Sequence, residues 1–596
     1  MSLRKRKIKA IILLVGLFGV IPFVNTSIAE EVTIDPVFYI SVLAPNTCGG
    51  RSFFPQAMVD IWPEIGIGID IFDNTGWAQI SPRTWGYPGP YPIPPYEDGG
   101  FDVLFVGWSW GLDWDPTGLY DSPSITPVED NFYQFNNTDM DWAIFNYTSS
   151  YELDDRLFWA NEIQQILYEE LPQHTIIYPL SLYAHDKDLS DWDDLLWPST
   201  YQPMENWTIP GQTEFHYAVP ADFEDFHIYK YESVYDAQWL RQIYNGLFER
   251  SANNHYAYAP RLATDYSTND YMNYTVNIDP DAVWADGTPL NTSDVEFSYK
   301  LQITPAFGNP DFGYWSQYLR NNSVTIIDEH TFQISFNKTY VFQEGNLALD
   351  LVPKHIWKDI PFDQMEIQAN SWASSDPSKI FGAGPYKLHT YDGINEIIRL
   401  TRNDNFANWS DVTPYFDDIY FEFYSNKEEA LLALASGTID MVDAQFSTQI
   451  SEIPAGVGYT KSDEPGTQEI AINMQHPILG TGALCPIAGP QSAKYVRKAI
   501  AHSIPREYFC NELLDGLARP GVTGCPSVAV GFNETLEPYA YNQTLSREYL
   551  RMAGYDIPTI TPSSSPTISI GLGLPIILGI LALVSSTIYL SKRIKD

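Results

Sequence analysis

The stretch Asp279–Leu301, DPDAVWADGTPLNTSDVEFSYKL, constrains this chain more than any other. Ala282, Val283 and Trp284 are apolar and suit a half-buried strand. Asp286-Gly287 is a turn dipeptide, because glycine accepts the positive φ that such turns need. Asn291, Thr292 and Ser293 are all helix N-cap types. Asp294 and Glu296 then place negative charge in the first helical turn, where the helix dipole favours it. One run thus spells a strand, a tight turn and a helix start.

Strands and helices alternate through the first part of the chain. Val37–Ala44 (VFYISVLA) reads as a strand by its β-branched and aromatic content. Phe53, Phe54, Ala57, Met58, Ile61 and Trp62 keep helical spacing until Pro63 stops them. Ile67–Phe72 is a second strand. Phe101–Val106 is a third, apolar enough to be buried on both faces. Arg156, Leu157, Ala160, Ile163, Leu167 and Leu171 predict a long amphipathic helix ending at Pro172. Such alternation argues for an α/β fold.

Several of these stretches resemble one family. The Asp279–Leu301 string resembles the signature of the family 5 solute-binding proteins, the peptide- and nickel-type receptors of ABC importers. Glu428–Val442 (EEALLALASGTIDMV), Tyr495–Ile500 (YVRKAI) and Leu550–Tyr555 (LRMAGY) match further family motifs. Their order is unusual. The segments from Val37 to Leu171 resemble the family's C-terminal half, yet here they come first. Tyr201–Pro210 resembles the usual C-terminus and Phe215–Leu247 the usual N-terminus. The resemblance therefore implies one receptor, circularly permuted, with its new ends opened between Asp556 and Val37.

That resemblance implies an α/β, two-lobed periplasmic-binding-protein-like (type II) fold with an extra small α+β domain. Residues 37–200 would begin the ligand-binding second lobe, and 441–556 would complete it. Residues 205–440 would form the first lobe, with the small signature domain at about 250–350. The lobes would close on a ligand by a hinge motion.

Both ends carry targeting signals. Arg4–Lys9 is basic, Ala10–Val24 is apolar, and Ser27-Ile28-Ala29 offers small residues at a cleavage site, so residues 1–29 read as a signal peptide. Residues 557–567 are a Ser/Thr/Pro-rich stalk. Residues 568–590 are apolar enough to span a membrane as a helix of ~30 Å. Lys592, Arg593 and Lys595, in the tail 591–596, keep that end cytoplasmic and the body outside the cell. Beyond residue 29, ten N-x-S/T sequons agree with export. The formal charge of −41 excludes nucleic acid as a partner.

Outside the cell, four cysteines suggest disulfides. Cys510 with Cys525 is the expected close pair, leaving Cys48 with Cys485. The sequence holds no CxxC and no zinc spacing, so neither metal nor cofactor is expected. It also holds no HExxH and no GxSxG, which argues against an enzyme.

The informative loop is Gly107–Pro116 (GWSWGLDWDP), directly after a buried strand, where α/β sheets place ligands. The resemblance implies that Asp113 pairs with the α-amine of a peptide ligand, while Asp115 shapes the turn before Pro116. Trp77 matches an aromatic position lining the family's cleft. Trp108, Trp110 and Trp114 would add walls. Aromatic walls stack on peptide planes, side chains or sugar faces alike. Peptide is the expected ligand and an ABC permease in the same membrane the expected partner. Oligosaccharides and nickel complexes are the alternatives on this scaffold.

Overall fold

A computed structural model describes residues 34–46, 53–192, 204–231, 233–251 and 256–559. The expected signal peptide, most of the stalk, the expected membrane span and Cys48 lie outside the described residues. Among the described residues no helix is long and apolar enough to cross a membrane.

The first strands form much as their composition dictates. β1 (Phe38–Pro45) pairs in parallel with β2 (Ile67–Thr75), and also with β3 (Val103–Ser109) through Val42 and Leu43. The helix Phe53–Ile61 links β1 to β2, and Trp62-Pro63 opens a short 3-10 turn after it. The long helix forms at Leu153–Glu170.

Twelve strands make one mixed sheet that runs through the body. Its continuity depends on β4 (Gln173–His185). The first half of β4 pairs with Gly466–Ile472, which in turn pairs with β3. The second half pairs with Gly458–Asp463 and with Met441–Val442. From there the sheet continues through β5 (Glu214–Val219) to Asp418–Phe423, Ile397–Arg402 and Tyr386–Asp392. Two antiparallel runs of chain, β4 and residues 458–472, therefore carry the sheet from one half of the body to the other.

Each half has its own apolar core. Leu43, Leu104, Trp114, Tyr133 and Ile163 belong to one, and Phe215, Trp239, Leu388 and Phe421 to another. A third surrounds the signature segment and a four-stranded sheet of 263–268, 273–278, 331–335 and 324–326. Beside it lies the hairpin of β6 (Phe248–Arg250) and β7 (Tyr258–Pro260).

In the signature segment, Asn291 caps the helix Thr292–Gln302 and Asp294 completes a capping box. Gly287 has φ +85°, as its turn requires. The expected strand at Ala282–Trp284 does not form. Val283 makes only an isolated bridge to Pro289, and the backbone N–H of Trp284 donates to Thr288. The turn is too tight to leave room for a ladder. Ala282 and Trp284 are instead fully buried as core residues.

The expected Cys510–Cys525 bond is absent, and both thiols are free and buried. Cys510 lies in the single wide turn Phe509–Leu513, packed where Phe509 meets Phe54. Cys525 lies in the other side's core beside Pro526. The strand Ala518–Pro520 between them is bound along β4, so the segment is not a free loop that could close. Burial pushes the Cys510 thiol up to about 12 and raises Cys525 as well, which leaves both unreactive. Cys485 is also a free thiol, with Sγ 3.6 Å from the Ile478 carbonyl.

The two ends of the body meet. The rings of Phe38 and Tyr555 are 5.0 Å apart, just beyond the helix Gln543–Met552.

Candidate functional site

β3 delivers the candidate loop. Its strand is buried up to Val106, and at Gly107 the side chain of Gln468 comes so close that a Cβ would lie 2.5 Å from its amide. A side chain at this position would require the Gln468 amide to swing aside. The register places Trp108 opposite Thr467. Trp108 Nε1 donates to Glu469 Oε1 at 3.1 Å, and Trp110 Nε1 donates to Thr467 Oγ1 at 3.3 Å. Both indoles are thereby tied to one strand and stay half-buried.

Beyond Trp110 the loop is fastened into the core. Trp110 N donates to Pro465 O, Val530 N to Leu112 O, and Tyr147 Oη to Trp114 O. Leu112 and Trp114 are fully buried. Trp114 is thus a core residue and not a wall of the site, because its side of the loop faces inward. Asp115 is exposed, and its Oδ1 accepts from Thr117 N at 3.0 Å, which shapes the turn as expected.

Three of the four expected tryptophans do come together. Trp77 meets Trp85 at 5.7 Å, and Trp85 meets Phe132 at 5.7 Å. Phe132 meets Trp108 at 6.3 Å, and Trp108 meets Trp110 at 6.3 Å. The row Trp77–Trp85–Phe132–Trp108–Trp110 is continuous. Trp85 and Phe132 were missing from the sequence reading. Trp85 had a weak signal, a tryptophan inside the Gly/Pro-rich loop 81–95.

Asp113 stands beyond the end of this row, and its carboxylate is held by Arg250. The guanidinium makes a two-pronged contact, Nη1 to Oδ1 at 3.0 Å and Nη2 to Oδ2 at 2.6 Å. Arg250 closes β6, and its guanidinium lies 4.0 Å from the centre of the Tyr258 ring on β7. Nη1 also donates to Tyr256 O at 3.0 Å. The side chains of Arg250 and Asp113 are 13% and 21% exposed. A second set of rings, Tyr314, Tyr318, Tyr340 and Phe342, continues on the hairpin's side. The negative charge of Asp113 helps raise the Tyr314 and Tyr340 hydroxyls, although burial is the larger cause for both. No local pattern in the sequence pointed to Arg250.

Beneath Trp108 lies a second carboxylate. Glu469 is fully buried, and burial pushes its carboxyl up to about 7. Its Oε1 accepts from Tyr133 Oη and Trp108 Nε1, while Oε2 has no hydrogen-bond partner among the described residues. Among the described residues no cluster of His, Cys, Asp and Glu is placed to hold a metal ion.

The half that carries Asp113 and the signature unit beside which Arg250 lies meet along a seam here, and they touch elsewhere too. Arg156 Nη1 donates to Val341 O at 2.9 Å, and Tyr271 Oη donates to Glu152 at 2.9 Å. Tyr151 stacks on Tyr271 at 4.1 Å.

Comparison with known proteins bears on the family of the chain. The description "Bacterial extracellular solute-binding proteins, family 5 Middle" matches residues 257–569, more than half of the chain. The periplasmic murein peptide-binding protein MppA of Escherichia coli is 23% identical over 335 residues, covering 52% of this chain and 56% of MppA. The periplasmic oligopeptide-binding protein OppA of Salmonella typhimurium is 23% identical over 236 residues, covering 37% and 41%. The chain thus spans about half the length, or less, of these curated relatives. Among solved structures, the substrate-binding protein CtaP of Listeria monocytogenes aligns at 18% identity with a TM-score of 0.41, over 58% of this chain and 66% of CtaP.

Proposed function

Because the chain belongs to the bacterial extracellular solute-binding proteins, family 5, we propose that it is the receptor of an ABC importer and carries peptides to a permease. In this reading residues 568–590 anchor it in the permease's membrane, with the body outside the cell. It binds and releases its ligand and catalyses nothing.

The observation that carries the reading is the aromatic row that ends beside the Asp113 loop, at the end of a buried sheet strand. Flat rings bury much area at little entropic cost and stack on peptide planes. Trp77, Trp108 and Trp110, with Trp85, are the proposed wall, and the fully buried Phe132 backs it. Asp113 marks its charged end. Two matched relatives are named as peptide-binding proteins, which supports peptide as the ligand class.

Circular permutation belongs to the same proposal. β1 lies between β2 and β3, and Phe38 touches Tyr555, so the lobe needs both ends of the body. New ends are tolerated at exposed junctions where few buried contacts are cut. The stalk would then leave from the lobe that carries Trp77 and Asp113.

One observation favours a second reading. Arg250 takes the charge of Asp113 and leaves a site walled mainly by rings, which also suits the faces of an oligosaccharide. Native mass spectrometry of the purified chain separates the two. Adducts that fragment into residue masses of amino acids support the peptide reading. Adducts spaced by hexose units overturn it in favour of the sugar.

A further inference from the structure

Among the candidate groups of the body, the Asp113–Arg250 pair carries an inference furthest. We propose that Arg250 is a specificity residue: a tethered cation that masks Asp113, so that the site does not read the charge of a ligand's amino terminus. The proposal rests on the peptide reading for its ligand class, but not for the masking itself.

The geometry gives the reason. A guanidinium matches a carboxylate with two parallel N–H···O bonds, whereas an ammonium offers a single point charge. Arg250 uses both prongs on Asp113. It is also fixed from two other sides, by the Tyr256 carbonyl and the Tyr258 ring. The hairpin register sets Arg250 directly opposite Tyr258, so this support is built into the backbone. A group tethered in place competes at an effective concentration on the order of millimolar or above, which a dilute ligand does not reach. A ligand ammonium that displaced Arg250 would strand a partly buried guanidinium without its carboxylate. Asp113 is therefore spoken for. The receptor accepts a peptide with a free or a blocked amino terminus alike, and Arg250 is what makes it so.

The test uses the full chain in three forms: wild type, Arg250→Ala, and Arg250→Ala with Asp113→Asn. Masking is read first without any peptide. Ethylguanidinium, a small cation shaped like the missing side-chain tip, should raise the thermal midpoint of Arg250→Ala in a dose-dependent way. It should do so neither in wild type nor in the double variant. Specificity is read next by native mass spectrometry, with an equimolar library of tri- to pentapeptides in free-amine and N-acetylated forms. Wild type should take up both forms equally. Arg250→Ala should favour the free-amine form by roughly tenfold, as a newly exposed carboxylate would.

Absence of the ethylguanidinium effect in Arg250→Ala overturns the masking. So does a wild type that already prefers free amines. If the cation effect is present but no variant takes up either library, the masking stands and it is the peptide reading that fails.

Discussion

The signature segment and the β3 loop are both short, both contain Asp and Trp, and both follow a strand or turn, yet they are held in different ways. In Asp279–Gln302 many polar groups close on near neighbours in sequence, although Asp294 and Asp286 also bond Lys354 N and His355. Asp279 accepts from Asp281 N, Asp286 from Thr288 N, and Asp294 from Asn291 N. Trp284 is buried within the same unit. In Gly107–Pro116 almost nothing is local. Trp108 and Trp110 are held by Glu469 and Thr467, and Asp113 by Arg250, each more than a hundred residues away. A locally closed segment is a stable building block. A loop held mostly by distant partners changes when those partners move, which is what the proposed recognition site would require.

The contrast should be sharpest for the tryptophans. Trp284→Ala empties a fully buried site and should cost about 4 kcal/mol of stability. Trp110→Ala removes a half-buried ring and should cost about 1 kcal/mol, while weakening ligand uptake. Urea unfolding followed by circular dichroism measures both. Equal costs would erase the distinction between building block and site.

The carboxylates come next. Asp294 accepts from the Asn291 and Lys354 backbone N–H groups in a mostly buried position. Asp294→Ala leaves both donors unpaired and should cost about 3 kcal/mol. Asp113→Asn keeps the size and one acceptor but leaves the partly buried Arg250 guanidinium without its carboxylate, and should cost about 2 kcal/mol. Both are read from the urea midpoint, and the larger loss belongs to the signature segment.

Glu469 gives a pH signature to the loop's underside. Its folded-state value, about 7, lies above that of a free carboxyl, so the folded protein binds the extra proton more tightly. Stability from this group is therefore present in acid and lost as pH rises from the ordinary carboxyl value to about 7. The loss is on the order of 3 kcal/mol once pH exceeds that window. Glu469→Gln cannot ionise. The stability difference between wild type and this variant should grow between pH 5 and pH 8 in favour of the variant. A difference constant across that range would mean that Glu469 titrates normally.

The smallest effect is expected at Asp115. It is exposed and its only described hydrogen bond is the turn to Thr117 N, which Asn can also make. Asp115→Asn should change the thermal midpoint by no more than about 1 °C and leave uptake intact.

These two segments also explain what the sequence could and could not reveal. The cap at Asn291, the turn at Gly287 and the existence of strands β1, β2 and β3 follow from local propensity and pattern, so they were legible. The run Ala282–Trp284 looked like a strand because burial and β-propensity share the same residues, and only the tight turn decides between them. Cys510 and Cys525 are near in sequence, but the strand laid on β4 between them separates their environments. Trp114 and Trp110 have the same local spacing as walls or core, and the packing of Tyr147 settles which is which. Arg250 lies 137 residues from Asp113, so no spacing rule could pair them.

Hydrogen–deuterium exchange of the full chain, with and without a tryptic digest of casein, tests the central claim that this seam is the recognition site. The account predicts that ligand slows exchange of amides in two separate regions together, residues 106–113 and the hairpin strands 248–250 and 258–260, while the signature helix 292–302 is unchanged. Protection confined to the signature segment, or spread evenly over the body, would contradict it.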